Sequence, residues 1–106
     1  MDYPRRFGGI ARLYGDAALD RLGASHVYVI GIGGVGSWAA EALARSAIGR
    51  ITLIDLDHVA ESNINRQVQA LGATLGQAKV QALAERIADI HPGCAVHGVE
   101  EFAAAD

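Results

Sequence analysis

Val27-Tyr28-Val29-Ile30-Gly31-Ile32-Gly33-Gly34-Val35-Gly36 decides how this chain folds. A run of strand-forming residues enters a turn holding four glycines in six positions, and an alanine-rich helical pattern follows at once. A strand, a Gly-rich turn and a helix in that order aim backbone N–H groups and a helix N-terminus at an anion. Gly31 permits the tight bend, Gly33 lets backbone approach a phosphate, and Gly36 lets the helix pack on the strand. A turn with no ligand also fits the glycines alone. The strand before and the helix after favour a nucleotide site.

Outward from the turn, residues 26–32 read as a first buried strand. Its continuous apolar run suits a parallel sheet covered on both faces. Residues 37–46 read as a crossover helix, with Ala39, Ala40, Leu43 and Ala44 on one side and Glu41 and Arg45 free to face water. Gly49 is the stop signal, and residues 51–56 form a second strand ending near Asp55 and Asp57. Strand, helix and strand fit into about thirty residues, the size of one right-handed βαβ unit. Residues 58–74 are polar and irregular, with room for a short helical turn. Residues 76–90 carry Val80, Leu83, Ala84, Ile87 and Ile90 at helical spacing, and Pro92-Gly93 ends them. Residues 94–99 read as a third strand, with Phe102 packed behind it. Upstream, residues 1–15 read as an arm or loop, and Asp16 is placed to cap a helix over residues 17–22 that Gly23 ends. The fold class is therefore α/β: a Rossmann-like, doubly wound, mainly parallel sheet.

Composition narrows the function classes. With 106 residues the chain suffices for one small domain. An apolar fraction of 51% with two prolines excludes global disorder. A net charge of −3 leaves no nucleic-acid footprint across the whole chain, although Arg5, Arg6 and Arg12 crowd one end. No apolar run approaches the length of a membrane span, and the start lacks a signal-peptide pattern. Cys94 is the only cysteine, so no internal disulfide forms, and a cytoplasmic setting is expected. Burial as a small hydrophobe is the plainer expectation for Cys94, and a sulfur-carrying role the alternative. His26, His58, His91 and His97 lack metal-ligand spacing and are expected at the surface or at strand ends, so no metal site is expected. Trp38 is expected to pack rather than stack on a base.

The chemistry concentrates in a few side chains. Asp55 lies 19 residues after Gly36, at the end of the second strand, where a carboxylate accepts from ribose hydroxyls. A helix cap or a solvated strand end is the alternative. Asp57 could orient the next loop, hold magnesium or be solvated. Ser62-Asn63-Ile64-Asn65-Arg66-Gln67 and Lys79 bear on which nucleotide binds. A pyrophosphate is handled by backbone amides, whereas a triphosphate calls for forked or mobile cations and often magnesium. Arg66 and Lys79 supply those cations, unless they are ordinary surface charges.

Four stretches resemble the ubiquitin-activating-enzyme-like superfamily, in its order and spacing. They are residues 29–37, Leu53-Ile54-Asp55-Leu56-Asp57, Ser62-Asn63-Ile64-Asn65-Arg66-Gln67 and Gly76-Gln77-Ala78-Lys79. Residues 6–15 and 36–45 are similar to one branch of it, the dehydratases that modify threonylcarbamoyladenosine beside the tRNA anticodon. The resemblance runs from about Arg6 to Phe102 and implies an adenylation domain, as a homodimer, that uses ATP and Mg2+. ATP would lie over Gly31, Gly33, Gly34 and Gly36, with Asp55 on the ribose and Asp57 nearby. Asn63, Asn65, Arg66 and Lys79 would surround the phosphates, Arg66 and Lys79 acting catalytically. The substrate carboxylate would become an acyl-adenylate and then cyclise to a hydantoin with loss of water. The partners implied are tRNA, through regions largely beyond this chain, and a sulfur-transfer protein. Related adenylyltransferases carry an arginine where Gly9 stands, for which Arg6 and Arg12 are the candidates. The superfamily's magnesium-binding aspartate lies after the next strand, and Asp106 does not match it. Residues 16–106 are thus expected to be the N-terminal part of an adenylation domain that does not turn over alone. Three alternatives stay open: activation of the C-terminus of a ubiquitin-like sulfur carrier, an NAD-binding oxidoreductase domain, and a remnant that binds nucleotide without catalysis.

Overall fold

The computed structural model describes residues 1–101; the expectations for Phe102 and Asp106 lie outside them. Two helices come first, α1 (Tyr3–Tyr14) and α2 (Asp16–Ala24), followed by β1 (His26–Ile30), α3 (Gly36–Arg45) and β2 (Arg50–Ile54). Two short 3-10 turns, Glu61–Asn63 and Gly72–Thr74, precede α4 (Lys79–Ile90) and β3 (Ala95–Val99). The three strands are parallel in the order β1-β2-β3, with Val29 opposite Leu53 and Leu53 opposite Gly98. This is the expected α/β, Rossmann-like arrangement, with strand and helix ends shifted by one to three residues.

Both crossovers step the same way along the sheet, so right-handed connections put α3 and α4 on one face. There Val29, Ile51 and Leu53 meet Ala40 and Ala44 of α3 and Val80, Leu83 and Ile87 of α4. The alanines of α3 let its backbone approach the sheet closely. The expectation of two covered faces is met on one face among the described residues. On the other, Tyr28 and Ile30 are exposed, and His26 Nε2 sits 2.7 Å from Thr52 Oγ1.

Several local expectations are corrected. Residues 3–14, read as an arm or loop, are helical. The Asp2 side chain accepts from the Arg5 N–H, Pro4 sits in the first turn, and Phe7 is buried. Gly8 and Gly9 weaken this helix, but docking compensates. The Phe7 ring meets the His91 imidazole at 4.6 Å, and Arg6 Nη1 donates to the carbonyls of Asp89 and Ile90 at the end of α4. Those carbonyls are orphans of the helix terminus, which an arginine satisfies. Asp16 is the first residue of α2 rather than its cap, and that helix runs through Gly23. After α3 the left-handed position is Ala47, at φ 65°, rather than Gly49. Glu41, expected to face water, is buried and bridges Arg45 at 3.6 Å and Arg86 of α4. Cys94 is buried as expected, and that burial pushes its thiol up, a backbone hydrogen bond from Ile51 opposing it weakly.

His91 is likewise buried rather than at the surface, with Nδ1 lacking a partner among the described residues. Burial first, and the Arg6 charge second, lower its pKa from 6.5. Neutral His91 therefore favours the folded state fully above the unfolded-state value, and this contribution is lost as the pH falls below it, because unfolding then takes up a proton. Melting temperature is expected to drop between about pH 7.5 and pH 5.5. His91→Leu should flatten that segment of the curve; an unchanged slope in the variant contradicts the assignment.

Candidate functional site

The turn from β1 into α3 is held from both sides. The Gly31 N–H extends the ladder to the Ile54 carbonyl at 2.8 Å, and Gly31 sits at φ 80°. Gly36 packs against the Gly31 carbonyl so tightly that a Cβ would overlap it. Asp55 closes the turn: Oδ2 accepts from the Ile32 N–H at 2.9 Å, and Oδ1 from the Asp57 N–H at 2.8 Å. Half-buried Asp55 thus fixes the turn's geometry as well as standing at the end of β2. Each of its oxygens keeps acceptor capacity after one such bond. Among the described residues the amides of Gly33, Gly34 and Val35 donate to no acceptor. Such consecutive free N–H groups at a helix start form an anion cradle.

The 3-10 turn Glu61–Asn63 brings the second group of candidates to the same end of the sheet. Asn63 is buried, its Oδ1 accepting from the Ala60 N–H at 2.9 Å. Its side-chain oxygen therefore shapes the turn. Arg66 is exposed and lies across Gly34, its Cγ and Cδ 3.8 Å from where a Gly34 Cβ would stand. Its Nη1 donates to the Ser62 carbonyl at 2.7 Å and to Asn65 Oδ1 at 3.1 Å, leaving other guanidinium donors for an incoming acceptor. Asn65 orients this fork.

Lys79 opens α4, and its N–H donates to the Asp57 carbonyl at 3.0 Å, tying it to the end of β2. It is only 6% exposed and makes no ion pair among the described residues. An ordinary surface charge is ruled out. Its stem is packed away from water, and its ammonium, paired with no carboxylate among the described residues, can meet a bound anion. Exposed Asp57 stands beside Asp55, and among the described residues no three His, Cys, Asp or Glu are grouped to hold a metal.

Sequence reasoning missed three supporting residues. Ser37 Oγ accepts from the Val68 N–H at 3.3 Å, and Gln69 Nε2 donates to the Ile32 carbonyl at 3.0 Å. Trp38, expected to be packed, is 52% exposed and donates from Nε1 to the Arg66 carbonyl at 2.8 Å. The serine, tryptophan and glutamine carry no local pattern that marks such cross-links.

The ThiF family model matches residues 6–106. The tRNA threonylcarbamoyladenosine dehydratase of Escherichia coli is 56% identical over 102 residues, covering 96% of this chain and 38% of that protein. The dehydratase of Haemophilus influenzae is 52% identical over 101 residues, covering 95% and 39%. A crystal structure of the E. coli dehydratase in complex with ATP superposes with a TM-score of 0.93 at 55% identity, covering 96% of this chain and 42% of that one. The chain spans about two-fifths of the length of the curated relatives it matches.

Proposed function

Since the chain belongs to the ThiF family, we propose that it is the nucleotide-binding part of an ATP-dependent tRNA dehydratase acting on threonylcarbamoyladenosine. The observation that carries this is Arg66 lying across Gly34, beside amides that find no acceptor among the described residues. A forked cation, free N–H groups and buried Lys79 suit a triphosphate better than a dinucleotide. The ATP complex of a relative 55% identical supports the same ligand.

In this proposal Asp55 accepts from the ribose, and Gly31, Gly33, Gly34 and Gly36 form the cradle. Asn63 and Asn65 shape the segment that delivers Arg66, while Asp57 stands near the phosphates. The substrate carboxylate attacks the α-phosphorus; an O–P bond forms and the bond to the β-phosphate breaks. Arg66 and Lys79 stabilise the charge gathering on the departing pyrophosphate. The ureido nitrogen of the substrate then bonds to the activated carbonyl, loses its proton to solvent and expels AMP, leaving a hydantoin. No side-chain nucleophile is needed, so catalysis is positioning and charge stabilisation. Mg2+ on the triphosphate would neutralise charge, and Asp57 is a candidate to hold it. Residues 16–106 then form the N-terminal part of the adenylation domain, with residues 1–15, which carry the docked helix α1, before it. A homodimer, a cytoplasmic location and a sulfur-transfer partner belong to the same proposal.

ATP–pyrophosphate exchange by the full-length protein tests it. Stimulation by tRNA carrying threonylcarbamoyladenosine, with AMP released and a hydantoin formed, is the expected result. Stimulation by a ubiquitin-like carrier instead would move the assignment to carrier activation, and ATP binding with no AMP released to a binding-only role. Tight NADH binding with indifference to Mg·ATP would point to an oxidoreductase.

A further inference from the structure

Arg66 sits in a long irregular stretch between β2 and α4, and its side-chain contacts to Ser62 and Asn65 are internal to that stretch. They orient the guanidinium without fixing it relative to the glycine turn. Among the described residues, Asp55 holds the start of the stretch to Ile32 of the turn, and three further side-chain hydrogen bonds tie residues 66–69 to the turn and to the first turn of α3: Ser37 to Val68, Gln69 to Ile32, and Trp38 to Arg66. Only the last grips the Arg66 peptide itself. Trp38 stands on the first turn of α3 with half its surface in water. An indole so exposed contributes little to a core, while its N–H is a single directed donor.

We propose that Trp38 is a positioning residue, whose indole N–H pins the Arg66 peptide and so holds the guanidinium over the glycine turn. Its consequence for catalysis rests on the adenylation chemistry proposed above. Its anchoring of the segment does not. Small displacements of a charged group at a phosphate cost rate steeply, and losing one hydrogen bond of this kind is worth up to about tenfold.

The test uses the full-length protein and Trp38→Phe, which keeps an aromatic ring and removes the donor. Amide hydrogen exchange without nucleotide should quicken about tenfold across residues 64–69. ATP–pyrophosphate exchange should fall about five- to tenfold in kcat/KM. In an Arg66→Ala background the same substitution should cost less than about twofold, because the group it positions is gone. Unchanged amide exchange overturns the proposal, as does an equal catalytic loss in both backgrounds. Faster amide exchange in a protein whose parent catalyses no pyrophosphate exchange would leave the anchor standing and remove the adenylation chemistry.

Discussion

Arg66→Ala and Lys79→Met are each expected to lower ATP–pyrophosphate exchange by about a hundredfold in the full-length protein, the scale of one lost transition-state charge contact. The loss should fall mainly on kcat, because charge on the bridging oxygen grows as pyrophosphate leaves. The two positions should differ in stability. Arg66 is exposed, so its truncation should leave the melting temperature nearly unchanged. Lys79 is buried and without an ion pair among the described residues, so an apolar side chain of similar length should hold or raise the melting temperature while exchange falls. A residue that costs stability and supplies rate is characteristic of a functional site. Arg66→Lys should recover only part of the loss, since an ammonium lacks the guanidinium fork. Unchanged exchange in either Arg66→Ala or Lys79→Met refutes the phosphate assignment.

Gly36→Ala should have the largest structural effect. The added Cβ would overlap the Gly31 carbonyl and lie 3.5 Å from Val29 Cγ1, in backbone and core that cannot yield separately. Overpacking at such a place costs about 3 kcal/mol or more, equivalent to a drop in melting temperature of more than about 10 °C for a small domain. Soluble yield and nucleotide binding should be lost together. Gly34→Ala separates scaffold from site. Its Cβ would meet only Arg66 atoms at about 3.8 Å, an ordinary contact, so the fold should survive. Nucleotide affinity should nevertheless fall, because the methyl occupies the space between the turn and the guanidinium. If Gly36→Ala melts like the parent, the close approach of α3 to β1 does not limit stability.

The placement of the candidate residues was legible where chain position alone fixes it. The position of Asp55 at the end of the second strand follows from the apolar run that precedes it. Its acceptance from the Ile32 N–H does not, since that bond joins residues 23 apart. Arg66 and Lys79 looked alike as sequence, two cations in a polar region. Only folding distinguishes an exposed side chain across Gly34 from a buried lysine at the start of α4.

The strand–turn–helix order, the parallel sheet and the close packing at Gly36 follow from the sequence alone. Apolar periodicity and steric allowance act between residues adjacent in the chain or one helical turn apart. What tertiary structure decided joins distant positions: Arg6 on the end of α4, Glu41 with Arg86, Gln69 on the Ile32 carbonyl and Trp38 on Arg66, separated by 83 and 84, 45, 37 and 28 residues. No local propensity encodes such pairs, because each is defined by which groups folding brings within hydrogen-bond reach and removes from water.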